Sequence, residues 1–206
     1  LDGLPYEAEF DGSTIVVTSP EDAERTGLQY QHKYSLRHNS TCVDLALSMT
    51  NISGKPVESS LWHLLTVPAL ESAMIYVPVA SDNDWEIMHG PEDQYSQWLG
   101  VENGIFTARY GGIQGKAGMK ATDGWMVWHD EKKNIAFTIM FPIEENRTYP
   151  HNGHHAELWS TGPAKNPDGA VDPAMSHMEL EVLGPLEDLS PGESASTDIV
   201  WATCHV

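Results

Sequence analysis

Basic residues are scarce in this chain: 11 Lys and Arg stand against 30 Asp and Glu, a formal net charge of −19. That balance argues against a nucleic-acid partner or an anionic membrane surface, because a phosphate backbone is repelled by such a protein rather than neutralised. It suits solubility in a salty or extracellular medium. No apolar run approaches the ~20 residues that a membrane helix needs, so no membrane insertion is expected. Cysteine is nearly absent. Cys42 and Cys204 both fall in expected strands, which leaves either one disulfide or two buried thiols. No signal peptide is visible, yet the chain begins at Leu1 and reads as a processed or trimmed product, so the missing leader does not argue for the cytoplasm. Asn39-Ser-Thr, Asn51-Ile-Ser and Asn146-Arg-Thr match the N-glycosylation acceptor pattern. The expected compartment is extracellular or periplasmic, that of a secreted protein.

Helical periodicity is missing as well. Glu21 to Arg25, after Pro20, offers one short turn at most. What is present is β pattern from end to end. Ser13–Thr18 is rich in β-branched residues, and Cys42–Thr50 alternates with Val43, Leu45, Leu47 and Met49 on one face. Leu61–Val67 and Ala73–Val77 follow, and Gly124–His129 with Ile135–Phe141 reads as a hairpin across a polar turn. Met178–Val182 and Thr197–Cys204 close the chain, separated by expected turns at Pro185 and Pro191-Gly192. Two long polar loops, Ser81–Gly100 and Thr161–Ser176, are candidates for function. No repeat or low-complexity block interrupts the pattern. At least seven antiparallel strands in 206 residues predict an all-β fold, one antiparallel β-sandwich domain over 1–206.

The densest acid/base chemistry lies in Tyr149-Pro-His-Asn-Gly-His-His-Ala-Glu157. Three of ten histidines, His151, His154 and His155, crowd into five positions beside the carboxylate of Glu157. In an extended segment side chains alternate, so His155 and Glu157 share a face and suit one proton-transfer site, with His151 and His154 at its periphery. The same histidines admit a metal reading, in which a divalent ion takes His151, His154 and His155 or a His-x-Glu pair with His63 or His129. The spacing is not that of a diagnostic zinc motif, and no cofactor is expected otherwise.

The motif order resembles the galactose-mutarotase-like superfamily. It runs through Thr26-Gly-Leu-Gln29, Thr50-Asn-Ile-Ser-Gly-Lys-Pro56, Leu61-Trp-His63 and Tyr149-Pro-His-Asn-Gly153 with Glu157. Met178-Glu-Leu-Glu181 and Leu189-Ser-Pro-Gly-Glu193 complete it before Trp201. The likeness covers most of the chain from about Ser13 and is nearest to a bacterial branch of domains of unknown function. It implies a β-supersandwich that holds a carbohydrate, with Glu157 in the place of the general base and His63 in that of a sugar-contacting histidine. Such domains normally carry further N-terminal strands, so the chain is expected to start partway through that pattern, and an incomplete sheet would leave edges open to self-pairing as a homo-oligomer. The aromatic signature of active epimerases around His63 is replaced by Trp62 and Leu64.

Sugars offer apolar C–H faces to aromatic rings. Trp62, Trp85, Trp98 and Trp159 are therefore candidate ligand contacts, the first beside His63 and the next two in the acidic loop. Trp125 and Trp128 have opposite parity and cannot both face one side. Arg109 could clamp a sugar carboxylate, although a surface ion pair explains it as well. The leading expectation is a carbohydrate-binding mutarotase-like domain acting as epimerase or lyase, with Glu157 as base and His63 or His155 as acid. The alternatives are a non-catalytic assembly module with open sheet edges and a metal-dependent enzyme built on the histidines.

Overall fold

Alternation of apolar and polar residues decides which side of each strand meets the core. A computed structural model describes residues 4–163 and 175–206. Its described strands are β1 (Glu7–Phe10), β2 (Thr14–Thr18), β3 (Leu28–Leu36), β4 (Cys42–Asn51), β5 (Val57–Pro68), β6 (Ala73–Pro78), β7 (Trp85–His89) and β8 (Leu99–Glu102). They continue as β9 (Ile105–Arg109), β10 (Gly115–Met119), β11 (Trp125–Asp130), β12 (Ile135–Met140), β13 (Ala156–Ser160), β14 (His177–Leu189) and β15 (Ser194–His205). Ten form one sheet in the order β1-β2-β3-β4-β15-β12-β11-β6-β9-β8, and five form a second in the order β5-β14-β13-β10-β7. Neighbours are antiparallel in both, so the expected all-β sandwich is what the chain forms.

The facing sides interdigitate. Leu45, Leu47 and Met49 of β4, Ile75 of β6, Phe106 of β9 and Ile139 of β12 are buried in one cluster with Met119, Leu158 and Leu180 of the smaller sheet. Full burial of a side chain of this size is worth about 1.5–3 kcal/mol, so the alternating pattern alone stabilises this pairing of faces. The hairpin expected at Gly124–Phe141 forms as β11 and β12, paired from Trp125↔Met140 to Asp130↔Ile135.

Two expectations are corrected. Pro185 is not a turn: β14 runs through it, with a register shift between Leu183 and Leu186 that spares the ladder the N–H proline lacks. Ser81–Gly100 is not a plain loop, since it contains β7, a short helix α1 (Glu92–Tyr95) and a 3-10 turn over Ser96–Trp98. Glu21–Arg25 forms the expected short turn, with an isolated bridge at Asp22. Most of the expected Thr161–Ser176 loop lies outside the described residues. Cys42 pairs with Ala202, leaving Cys204 two residues out of register, and both thiols are free. Asn51 cannot be a glycosylation acceptor in the folded chain, because it is fully buried and its amide donates to the carbonyls of Lys55 and Leu189.

The larger sheet outreaches the smaller. Tyr30, His32 and Tyr34 of β3 pair with Met49, Leu47 and Leu45 and therefore face inward, but they lie beyond β5, the edge of the five-stranded sheet. That overhang makes a cleft along β5. Both sheets are open, at β1 and β8 and at β5 and β7. No helix among the described residues is long and apolar enough to cross a membrane.

Candidate functional site

Because Ala156 and Leu158 face the core, Glu157 between them projects from the outer face of the five-stranded sheet. Register places Gly118 of β10 on one side of it and Glu181 of β14 on the other. Lys116, two residues before Gly118, shares that face. Its Nζ lies 2.7 Å from Glu157 Oε2 and 2.8 Å from Glu181 Oε2. Trp62 of β5 donates its indole N–H to the same Glu181 oxygen at 2.9 Å, and the Lys116 ammonium sits 4.9 Å from the Trp62 ring centroid. Two carboxylates at 0% and 1% exposure are thus held side by side by one cation.

The turn Pro150–Gly153 covers them. His151, Asn152 and Gly153 all have positive φ, at 49°, 64° and 89°. For the two side-chain-bearing residues this left-handed backbone costs energy, of the kind that clusters at functional sites. It brings the His151 ring over Glu157, Nδ1 to Oε1, at 2.6 Å, and lets the Asn152 amide donate to Glu86 Oε1 at 2.8 Å. His154, 1% exposed, lies across Gly118 between two carboxylates, its Nε2 3.1 Å from Glu86 and its Nδ1 3.5 Å from Glu157. A Cβ at position 118 would run into that imidazole, so glycine is what makes room for it. Gly118→Ala should therefore cost about 1–3 kcal/mol by overpacking, read as a lowered melting temperature. An alanine variant as stable as the wild type would show that His154 is not fixed there.

Burial raises the Glu157 carboxyl, but hydrogen bonds from His154, Lys116 and His151 outweigh it and hold the group down at about 2. Glu181 goes the other way. Burial, aided by the Glu157 charge, pushes it up against the opposing pull of Lys116 and Trp62. Neighbouring carboxyls driven apart in proton affinity are a pattern of acid/base sites.

The remaining expected residues fall as follows. His155 does not meet Glu157: its Nδ1 bonds the carbonyl of Ala121 at 3.0 Å and its ring packs edge-on against Tyr149. The strand begins only at Ala156, so the alternation that predicted a shared face does not reach back to His155, and His151 and His154 are the histidines at the carboxylate. His63 is also elsewhere. It alternates with Trp62, so it faces inward, 94% buried and stacked on Trp201 at 5.4 Å, where burial lowers its pKa to about 4. Trp159 is beside Lys116 in register and stacks on His89 at 5.5 Å. Trp85 packs against Phe106 and the core, Trp98 lies over Gly111, and Arg109 pairs with Glu131 at 2.9 Å on the larger sheet. Trp128 is inward and bonded to Pro68, which puts its neighbour His129 on the far side of the larger sheet, away from Glu157. Among the described residues no group of three or more His, Cys, Asp or Glu is placed to hold a metal ion.

Sequence reasoning missed Lys116 and Glu181. A lone lysine within Gly115-Lys-Ala-Gly-Met119, small and apolar on both sides, was the available signal, since lysine is rarely buried unless paired. The cluster opens onto a cleft of about 820 Å³ whose walls include Trp62, His63, His151, Tyr30, Tyr34 and Trp201.

Comparison with known proteins gives the family. The model of a domain of unknown function, DUF4380, matches residues 7–204. The chain belongs to this family. No curated protein matches it. Among solved structures, the DUF4380 chain is similar to a candidate aldose 1-epimerase from Escherichia coli K12, at TM-score 0.66 and 12% identity over 98% of this chain and 69% of that one. It is also similar to galactose mutarotase-like proteins from Lactobacillus casei and Clostridium acetobutylicum. Their TM-scores are 0.58 and 0.56 at 11% and 12% identity, over 97% of this chain and 73% and 65% of theirs. Likeness at such identity is likeness of fold, and it makes the DUF4380 chain a mutarotase-like sandwich.

Proposed function

We propose that the chain binds a carbohydrate at Trp62 and His151 and moves a proton on it, as an epimerase of the mutarotase kind. The observation that carries this reading is the His151–Glu157 pair on its left-handed turn at the mouth of the cleft. Glu157 has no exposed surface and is too weak a base to take a hydroxyl proton itself. It serves instead as a fixed anion that accepts from His151 Nδ1–H, so that in the neutral imidazole Nε2 is the nitrogen able to accept the anomeric hydroxyl proton. Ring opening also needs a proton at the ring oxygen, which solvent supplies, because Glu181 is as buried as Glu157 and is bonded to Lys116 and Trp62. Trp62, half exposed and oriented by Glu181, offers its ring to the apolar face of the sugar.

Anomer interconversion, followed by NMR exchange or polarimetry over a panel of neutral aldoses, tests this. The wild type should accelerate exchange for at least one sugar, and His151→Ala should lower that rate by about 10²–10⁴. An undiminished rate in His151→Ala, or no acceleration of any sugar, would overturn it.

A further inference from the structure

His151 can act only while its turn stays closed over Glu157, and that turn is costly to keep. His151 and Asn152 are both left-handed, at φ/ψ of 49°/56° and 64°/21°. Each such residue strains an L-amino-acid backbone. The strain of the two is of the same order as one hydrogen bond to a charged group, so the His151–Glu157 bond does not hold the turn unaided. The His151 side chain is also nearly half exposed, and water competes for it. A second anchor is present on β7. Trp85 and Ile87 pack against the core, which turns Glu86 between them onto the outer face of the smaller sheet. Gly118 pairs with Glu86 on one side and with Glu157 on the other. One oxygen of Glu86, Oε1, accepts from the Asn152 amide at 2.8 Å and lies 3.1 Å from Nε2 of the buried His154. The chain is thereby gripped on both sides of Gly153.

We infer that Glu86 is a positioning residue for the proposed reaction: it holds the Pro150–Gly153 turn closed and so keeps the His151 ring over Glu157. The inference rests on the reading of His151 as the base and adds a residue that touches neither the sugar nor its proton. The residue type at position 86 follows from the groups it meets. A carboxylate is acceptor-only, with lone pairs enough on one oxygen for both partners. Its charge also strengthens the bond from the Asn152 amide. The consequence for rate comes from geometry, since displacing a reacting group by about 1 Å can cost about 10²-fold. Glu86 itself is nearly half exposed, so exchanging its side chain leaves the core packing in place.

The test is a donor–acceptor swap in the whole chain, comparing wild type, Asn152→Asp and the double variant Glu86→Gln/Asn152→Asp. Nitrogen NMR of the histidine rings reads which nitrogen of neutral His151 carries the proton, and NMR exchange over neutral aldoses reads the rate. Asn152→Asp sets two carboxylates against each other where the amide donates, so the turn should open. His151 should then lose its preference for Nδ1–H, and the rate should fall by about 10–10² with KM within about twofold. In the double variant the new glutamine amide donates to the new aspartate and keeps its carbonyl for His154. The Nδ1–H form should return, and the rate should recover to within about threefold of wild type. A wild-type tautomer and rate in Asn152→Asp, or a double variant no better than the single, overturns the role of Glu86. A lowered melting temperature with both readouts unmoved marks a structural contact and overturns it too. If the wild type accelerates no sugar, the proposed function falls, and the tautomer alone decides whether Glu86 holds the turn.

Discussion

Lys116→Met should lower the free energy of unfolding by about 3–5 kcal/mol at neutral pH, the scale for stripping one partner from a buried ion pair. The size comes from geometry. Glu157 and Glu181 are register neighbours with almost no exposed surface, and Lys116 is the cation between them. Without it two carboxylates face each other with neither water nor counter-charge, and at least one must take up a proton to stay folded. The sign then follows. In the variant the folded state binds more protons than the unfolded chain above the ordinary carboxylate range, so its stability falls as pH rises. The deficit should be largest at pH 7 and shrink toward pH 5, in urea unfolding measured at each pH. Adding Glu181→Gln should recover part of it. A variant with wild-type stability across that range would mean the two carboxylates are not packed as described.

The second large effect is an acid limb that begins unusually early. His63 titrates near 6.5 when unfolded but only at about 4 when folded, because burial penalises its charged form. Between those values the unfolded chain holds a proton that the folded one refuses, so stability drops as pH falls from about 6.5 to 4. Carried through, the shift amounts to about 3 kcal/mol. His32, lowered by burial beside it, acts with the same sign. Glu157 extends the limb: its folded value of about 2 against an ordinary 4.5 gives stability that is present above 4.5 and lost below it. Glu181, raised on folding, opposes them and gains stability on acidification. Unfolding midpoints in urea at half-unit steps should show the slope, and His63→Phe should flatten it between pH 6.5 and 4 while leaving the lower limb. An unchanged slope in that variant would assign the limb to other groups.

Much of the sandwich was legible because period-two alternation is written residue by residue. Leu45, Leu47 and Met49 point inward for the reason that any other register would put them in water. Pro185 was misjudged because a bulge lets a strand carry a proline, and no local signal separates that bulge from a turn. The site was legible in part. Glu157 stood out beside three histidines, but which of them reach it depends on a backbone that turns left-handed at His151 and Asn152, an arrangement that parity cannot foresee.

The sequence by itself determined an acidic all-β chain of mutarotase-like order with its acid/base chemistry gathered near Glu157. Its short-range patterns are imposed by pleat, turn chemistry and charge, which act between near neighbours. Only the tertiary structure decided that Lys116 and Glu181, 65 residues apart, share one ion pair, that His63 turns to the opposite side of its strand from that pair, and that β3 overhangs β5 to form a cleft. Those outcomes depend on strand order and register across two sheets. The energies that choose them are summed over the whole core, and no segment of the chain carries them alone.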